Sequence, residues 1–380
     1  MTVERLLPTD DARDLLDLTT ELADRELAPK AADCEARGEF PRDVLRTLGR
    51  AGLLGLPYPE ECGGAAQPYE VYLQVIEILA SRWLAIAEAV SVHTLSCFPV
   101  AAYGSEQQRK LLPDMLGGDL LGAYCLSEPQ GGSDAAALTT RATRDGDDYV
   151  VSGTKAWITH AGHADFYNVF CRTGGPGPRG ISCLLADART PGLEPQAPER
   201  LMGLRSSAPA QVAFDDARVP ADRLVGAEGQ GFAIAMAALD GGRLGIAACA
   251  VGLAQAALDY AVAYARERRQ FGAPIIDHQG LGFLLADMAT QVSAARALYL
   301  SAARLRDAGR PYATQAAQAK LFATDAAMRV TTDAVQVLGG YGYSADHPVE
   351  RYMREAKVLQ IVEGTNQIQR LVISRALARG

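Results

Sequence analysis

Residues 124–134 read YCLSEPQGGSD, and the texture of the chain changes on either side of them. Upstream, Val71, Tyr72, Val75, Ile76 and Leu79 recur at helical spacing. Ser105 followed by Gln108 has the form of a capping box opening a further helix. Pro113, Gly117 and Gly118 then close this region. Downstream come strand-like runs separated by turn residues: YVV at 149–151, WIT at 157–159, YNVFC at 167–171, ISCLL at 181–185 and QVAF at 211–214. From Gly229 helix returns. Residues 230–267 are rich in alanine and small residues, and Leu321, Thr324, Met328, Thr331, Val335 and Leu338 keep the three-and-four spacing of a bundle helix. The expected fold is mostly α with a middle β domain: a helical domain over 1–119, a β domain over 120–226 and a helical bundle over 227–380.

Composition narrows the function classes. A chain of 380 residues is too long for one ordinary core, and 48% hydrophobic with 22% charged residues is globular. A net charge of -8 argues against nucleic-acid binding, which needs clustered positive charge; the one basic cluster, residues 266–269, contains Glu267. Residues 1–14 mix Glu4, Arg5, Asp10, Asp11 and Arg13 without the apolar region of a signal peptide. No segment reads as a membrane span, since the apolar run 232–253 contains Asp240 and Arg243. Seven scattered cysteines without a CxxC pair and five histidines without a metal spacing argue against a disulfide framework or a zinc site. Reduced thiols point to a cytoplasmic protein.

Several stretches carry potential chemistry. GPGPRG at 175–180 matches a dinucleotide-binding glycine pattern, but it holds two prolines and leads into another strand, whereas that motif needs a helix N-terminus. It reads as a hairpin loop. The stretch 124–134 concentrates hydroxyls, amides and glycines that can approach a planar ligand closely, yet such residues also make ordinary turns, which composition alone favours. In GTKAWIT, 153–159, Trp157 could edge a ring system, with a core aromatic as the simpler reading. In LDGGRLG, 239–245, Asp240 and Arg243 share a helix face. The two glycines there cost about 1 kcal/mol each relative to Ala, which implies close approach by either a helix or a ligand. RERRQFG at 266–272 ends the long helix, where arginines ordinarily complement the dipole. QVLGGYG at 336–342 is first a helix C-cap, and its bare backbone could also seat a diphosphate. LQIVEGTNQIQR at 359–370 sets Glu363 between Ile361-Val362 and Gly364: a surface ion pair, or a general base in a nearly dry pocket.

Taken in order and at their spacing, SEPQGGSD, GTKAWIT, LDGGR, RRQFG, QVLGGYGY and VEGTNQIQR resemble the acyl-CoA dehydrogenase family, most closely its short-chain (butyryl-CoA) branch, from about residue 10 to the C-terminus. The resemblance implies an N-terminal α domain, a middle β domain and a C-terminal four-helix bundle, with non-covalent FAD between the last two. It implies that Tyr124, Leu126, Ser127, Gly132 and Ser133 line the flavin and its ribityl chain, and that Trp157, Ile158 and Thr159 flank the ring. Arg268, Gln270, Phe271, His278 and Gln279, with Gln336, Val337, Leu338, Gly339 and Gly340, would reach the adenine half of FAD bound to a neighbouring subunit of a homotetramer, a dimer of dimers. Thr365 and Gln367 would complete the local cofactor site. Ser133, Asp240, Arg243 and Gly364 would contact the acyl-CoA substrate.

Glu363 matches the family's catalytic base. In some branches the base sits instead just before the arginine of the LDxER motif; here that residue is Gly242. The activity implied is FAD-dependent α,β-dehydrogenation of a short or branched acyl-CoA to the trans-2-enoyl-CoA, with electrons leaving to an electron-transfer flavoprotein. Such a base needs a pKa near the working pH, well above the roughly 4.3 of an aqueous Glu, and Ile361, Val362 and the bound acyl chain are expected to desolvate it. Two positions depart from the family pattern: Val362, where short- and medium-chain members usually carry Tyr, and Gln130, where many carry Gly. Two neighbouring readings keep the fold: dehydrogenation of an acyl-carrier-protein thioester in secondary metabolism, and an acyl-CoA oxidase-like flavoenzyme. A non-catalytic helical scaffold or flavin-binding protein is the reading outside enzymology.

Overall fold

The computed structural model describes residues 3–379. Seven helices come first: α1 (Asp10–Leu22), α2 (Ala28–Arg37), α3 (Arg42–Arg50), α4 (Tyr69–Arg82), α5 (Leu84–Tyr103), α6 (Glu106–Arg109) and α7 (Leu112–Leu116). Eight strands follow: β1 (Gly122–Cys125), β2 (Arg141–Asp145), β3 (Asp148–Ile158), β4 (Phe166–Arg172), β5 (Ile181–Asp187), β6 (Leu193–Pro198), β7 (Ala210–Pro220) and β8 (Leu224–Val225). The chain then returns to helix in α8 (Gly231–Glu267), turns through a two-stranded hairpin of β9 (Arg269–Gln270) and β10 (Ala273–Pro274), and ends with α9 (Gln279–Asp307), α10 (Ala313–Leu338), α11 (Val349–Leu359) and α12 (Asn366–Leu377).

The periodic residues of α4 face the core, where Val71, Tyr72, Val75, Ile76 and Leu79 are buried. The capping box is formed as the sequence suggests: Gln108 N donates to Ser105 Oγ at 3.2 Å, and Ser105 N donates to Gln108 Oε1 at 3.1 Å. Gln108 also donates through Nε2 to the carbonyls of Asp222 and Leu224, which ties this helix to the end of the sheet.

The sheet runs β6-β7-β3-β2-β4-β5-β8, with β1 alongside β4. Strand β4 is buried on both faces. Tyr167, Val169 and Cys171 join one apolar cluster, while Phe166 and Phe170 join a second, which packs on the helices. The loop 173–180 connects the antiparallel pair β4 and β5, so the GPGPRG stretch is a hairpin connection. YVV and the Trp157-Ile158 of WIT, read as separate runs, belong to the single strand β3, with Thr159 in the turn that follows. Strands β1, β2 and β6 carry no alternating apolar signal: β1 has four residues, β2 (RATRD) buries only Ala142, and β6 contains two prolines.

The 37-residue helix α8 is the axis of the helical half. Two of its glycines are explained by close helix contacts. A Cβ at Gly245 would overlap Ser91 Oγ of α5, and one at Gly252 would overlap the Glu77 carbonyl of α4. Contrary to the sequence reading, two helices, Leu84–Tyr103 and Gly231–Glu267, are long and apolar enough to cross a membrane. Of their most apolar windows, 89% and 78% are buried inside the fold, the pattern of core helices.

Candidate active site

The link between α11 and α12 carries Glu363, and its backbone is forced. Glu363 has φ 52° and Gly364 φ 91°. A left-handed conformation costs a non-glycine residue on the order of 1 kcal/mol or more and persists only where the surroundings impose it. The surroundings here are polar and specific. Lys320 Nζ, on α10, donates to Gly364 O and to Asn366 Oδ1, both at 2.9 Å. Gln369 Nε2 donates to Gly364 O at 2.8 Å. Asn366 Nδ2 donates to Thr324 Oγ1 and to Asp325 Oδ1. Thr365 caps α12 by accepting from Ile368 N. The turn therefore aims the Glu363 side chain inward.

The carboxylate ends against Gly242 of α8, where an added Cβ would overlap Glu363 Oε2. The missing side chain of Gly242 is the space the carboxylate occupies. Glu363 as a whole is half-buried, but both carboxylate oxygens are sealed from water and accept no hydrogen bond among the described residues. Burial pushes its pKa up to about 8, and the nearby Glu88 carboxylate adds to the rise. Lys320 and Arg243 oppose it. Val362 packs against the helical core, as expected, whereas Ile361 is 53% exposed. Gly242 and the body of α8 take its place.

Glu88 and Lys320 were not singled out by sequence reasoning. Glu88 is buried on α5; its Oε1 accepts from Thr159 Oγ1 at 3.1 Å, while its Oε2 has no partner. Burial brings its pKa to about 7, against the Thr159 hydrogen bond. Burial lowers Lys320 to about 7, with the Glu363 charge working the other way. The available signal was a charge inside an apolar run: Glu88 in LAIAEAVSV, and Lys320 on a stripe of buried alanines in α10.

The structure gathers several expected residues around the base. Tyr124 is close enough for the Glu363 charge to raise its pKa after burial, and its hydroxyl donates to Ala235 O. Thr159 reaches Glu363 through Glu88. Asp240 and Arg243 pair with each other at 2.6 Å, and Arg243 is buried with Nε unpartnered. The loop after β1 is organised by a pair the sequence did not announce. Glu128 is buried and pairs at 2.8 Å with the buried Lys155. It also accepts from Thr139 N, Thr140 N and Gln130 Nε2. Burial alone would raise Glu128, but Lys155 and the hydrogen bonds from Thr140 and Thr139 hold it down to about 2. Gln130 thus closes its loop rather than opening it. Ser127 is half-buried, and Gly132 and Ser133 are exposed beside it.

Trp157 is not a core aromatic. It is 62% exposed at φ 61°, beside a register irregularity of β3 against β7 between Lys155 and Ile158. Leu126, Ile158, Val337 and Leu338, all expected at the cofactor, put their side chains into apolar cores and leave only backbone for a ligand. Arg268, Gln270, Phe271, His278 and Gln279 form a separate surface with the end of α10. Arg268 lies over Tyr341 at 5.8 Å, His278 Nε2 is 3.0 Å from Gln270 O, and Phe271 is 98% exposed. Gln336 is exposed beside Gly339 and Gly340, around which there is open space. Thr365 and Gln367 open on a cleft of about 310 Å³, shared with Asp325, Lys357 and Arg370. An uncovered tryptophan at the end of β3, bare glycine backbone and a charged cleft fit a large planar group with a phosphate-bearing tail.

Comparison with known proteins gives matches along nearly the whole length. Three family models match in succession: the acyl-CoA dehydrogenase N-terminal domain over 9–119, the middle domain over 123–217 and the C-terminal domain over 229–378. An acyl-CoA dehydrogenase of Bacillus subtilis (strain 168) is 45% identical over 366 residues, covering 96% of this chain and 97% of that protein. A chain in a structure reported for the electron transferring flavoprotein of Acidaminococcus fermentans superposes with a TM-score of 0.97 at 42% identity, covering 99% and 100% of the two chains. Butyryl-CoA dehydrogenase from Megasphaera elsdenii superposes with a TM-score of 0.96 at 40% identity, covering 99% and 100%.

Proposed function

The chain belongs to the acyl-CoA dehydrogenase family, whose activity is the flavin-dependent dehydrogenation of acyl-CoA, and from that premise we propose that Glu363 is the base that removes the α-proton of a short or branched acyl-CoA thioester. The observation that carries this reading is the Glu363 carboxylate itself: buried, aimed by a constrained turn, and without a hydrogen-bond partner. A structural carboxylate would have its lone pairs satisfied; a general base keeps one free for the proton it takes. A pKa near 8 matches the modest acidity of the α-carbon better than an aqueous carboxylate does. The Glu363 N–H donates to no group among the described residues, so it is free to bind the thioester oxygen as negative charge develops there.

Proton loss to Glu363 leaves an electron pair on Cα. Loss of hydride from Cβ then places the trans-2 double bond, and the net change is two electrons and two protons' worth of hydrogen removed from substrate. The chemistry supplied by the flavin, read here as FAD, is that of the two-electron acceptor for the Cβ hydride. Trp157 and Thr159 would flank its ring, Tyr124 and Ser127 the ribityl side, and Thr365 and Gln367 the tail. Asp240, Arg243, Ser133 and Gly364 are assigned to the thioester and its CoA arm. The exposed Phe271 and the bare Gly339-Gly340 backbone support a homotetramer, in which a second copy covers this surface. The likeness to the Acidaminococcus structure supports an electron-transfer flavoprotein as acceptor. Seven unpaired cysteines support a cytoplasmic setting.

The test is anaerobic titration of the flavin-loaded protein with a panel of acyl-CoAs. Bleaching of the flavin absorbance is expected with short or branched chains. Loss of bleaching in Glu363→Gln, with flavin retained, supports the assignment; turnover at the wild-type rate by that variant overturns it.

A further inference from the structure

The Glu363 turn is fastened by a charge that the fastening alone does not require. Lys320 lies on α10 among the buried alanines Ala316, Ala319, Ala323 and Ala327, and is itself fully buried. Its ammonium spans two points of the turn, donating to Gly364 O and to Asn366 Oδ1, both at 2.9 Å. Both acceptors are neutral, and Gly364 O also accepts from Gln369 Nε2 at 2.8 Å. A neutral amide or hydroxyl could hold such groups without the cost of taking a cation out of water.

The charge faces the base. Among the described residues no carboxylate lies within ion-pair distance of Lys320. Asp325, on the same helix, is engaged by Arg370 at 3.1 Å and by the side-chain amides of Asn366 and Gln360. Three charged groups act on the Glu363 carboxylate: Glu88 on α5, Lys320 on α10 and Arg243 on α8. Glu88 acts against the ionised form, and Arg243 already has its own carboxylate, Asp240, at 2.6 Å. Of the two cations, only Lys320 keeps its charge uncancelled by an adjacent carboxylate among the described residues. The charges that Lys320 feels are Glu363, Arg243 and Asp325. Burial brings Lys320 to about 7 and the Glu363 charge opposes this, so ionisation of the base and retention of the ammonium favour each other.

We propose that Lys320 is a positioning residue of the reaction: it fixes the turn that aims Glu363, and it is the positive charge that the ionised carboxylate faces at a distance. The proposal rests on the reading of Glu363 as the base. A direct ion pair would serve worse, because it would occupy the lone pairs that take the α-proton and make the base a permanent anion. A cation held by neighbouring carbonyl groups stabilises the carboxylate before proton transfer and leaves its oxygens free. The α-proton goes to Glu363, and Lys320 exchanges no proton with the substrate.

The test uses Lys320→Met, Lys320→Gln and Lys320→Arg of the flavin-loaded protein. The rate of flavin reduction by butanoyl-CoA is followed against pH, beside flavin content and the binding of redox-inert 3-thia-butanoyl-CoA. In Lys320→Met the pH at which reduction switches on should rise by about one unit, because the ionised base loses its cation. The high-pH plateau should fall by about tenfold as the turn loosens, with binding of the 3-thia analogue unchanged. Lys320→Gln keeps an N–H donor but no charge. It should shift the profile as far as methionine does and lose less of the plateau, and it carries the pH test if Lys320→Met fails to fold. Lys320→Arg, which keeps the charge, should keep the wild-type profile. A second readout needs no turnover. Glu363 destabilises the native state as pH rises towards about 8, so the gain in melting temperature from Glu363→Gln should extend to higher pH in the Lys320→Met background. A Lys320→Met protein that loses rate with an unshifted profile makes the lysine a packing element and overturns the proposal, as does one with the wild-type rate and profile. Failure of the base assignment is distinguishable: Glu363→Gln would then reduce its flavin at the wild-type rate whichever residue stands at 320.

Discussion

Glu77 and Glu363 are two carboxylates sealed inside the helical half of the molecule, and they have been treated in opposite ways. Glu77, on α4, sits among donors: Arg5 at 2.6 Å, Arg296 at 3.0 Å and the Tyr299 hydroxyl at 2.5 Å. Burial would raise its pKa, but the two arginines bring it below the ordinary value. The Glu363 carboxylate has charged neighbours within electrostatic reach and no hydrogen bond among the described residues, so burial wins and its pKa goes up to about 8. The difference is one of contact rather than depth. A paired buried carboxylate is a permanent anion that fastens helices together; an unpaired one is a proton acceptor waiting for a donor. Burial with a raised pKa is not sufficient for the second role. Glu355 also reaches about 8, but it lies on α11 beside Arg351, away from the Gly242 space.

The largest effect that separates the two is expected from Glu363→Gln. Removal of a general base should lower the rate of flavin reduction by about 10³–10⁴-fold, measured by anaerobic stopped flow, with flavin content unchanged. Its stability effect should have the opposite sign and depend on pH. The folded pKa of Glu363 lies above the unfolded value, so the native protein loses stability as pH rises towards about 8. The glutamine variant should therefore gain melting temperature relative to wild type at pH 8 and little at pH 5. A variant equally stabilised at both would mean that the carboxylate is not desolvated.

Glu77→Gln should do the reverse, destabilising by about 3–5 kcal/mol because it strands two arginines, while the folded fraction keeps its rate of flavin reduction. Its pKa is lowered, so the stabilisation it gives is present at neutral pH and fades in acid. Denaturant titrations at pH 7 and in acid would check this; a difference between variant and wild type that grew on acidification would contradict it.

Gly242→Ala comes next. The added methyl competes with the Glu363 carboxylate, and displacing a catalytic group by about 1 Å can cost on the order of 10²-fold in rate. A crystal structure or spectrum showing an undisturbed flavin site with full activity would break the geometric account. The smallest effect belongs to Glu88→Gln. It removes a negative charge that raises the base, so the pH at which flavin reduction switches on should fall while the plateau rate changes little. The pH profile of the single-turnover rate is the measurement.

The order of helices, strands and helices was legible because the period of the apolar residues changes at 120 and again near 229. The buried stripe of α4 and the Ser105 cap show the same legibility at residue level. Glu363 was legible as a carboxylate in apolar surroundings, although Ile361, one of its two expected shields, turned out to face solvent. Taken alone, Trp157 read as a core aromatic, and only the family resemblance set it beside a flavin ring; a bulge-like slip between Lys155 and Ile158 turns the ring outward, against the first of these readings. Lys320 and Glu88 were invisible for a common reason. Periodicity tells which face of a helix is buried, but not what stands across from it, and each of these side chains acquires its role from a different element: the Glu363 turn and the turn that follows β3.

The overlap between Gly242 and the Glu363 carboxylate has a historical side. The space beside Gly242 can be filled by a side chain from α8 or by one from the α11–α12 turn, and the two together would require the Glu363 carboxylate to shift. A lineage that moved its base from one backbone to the other would pass through a chain with both carboxylates crowded into this space or through one with neither. Positions 242 and 363 should therefore change together among descendants of a common ancestor. The chain with glycine at 363 and glutamate at 242 would be the mirror solution rather than a damaged enzyme.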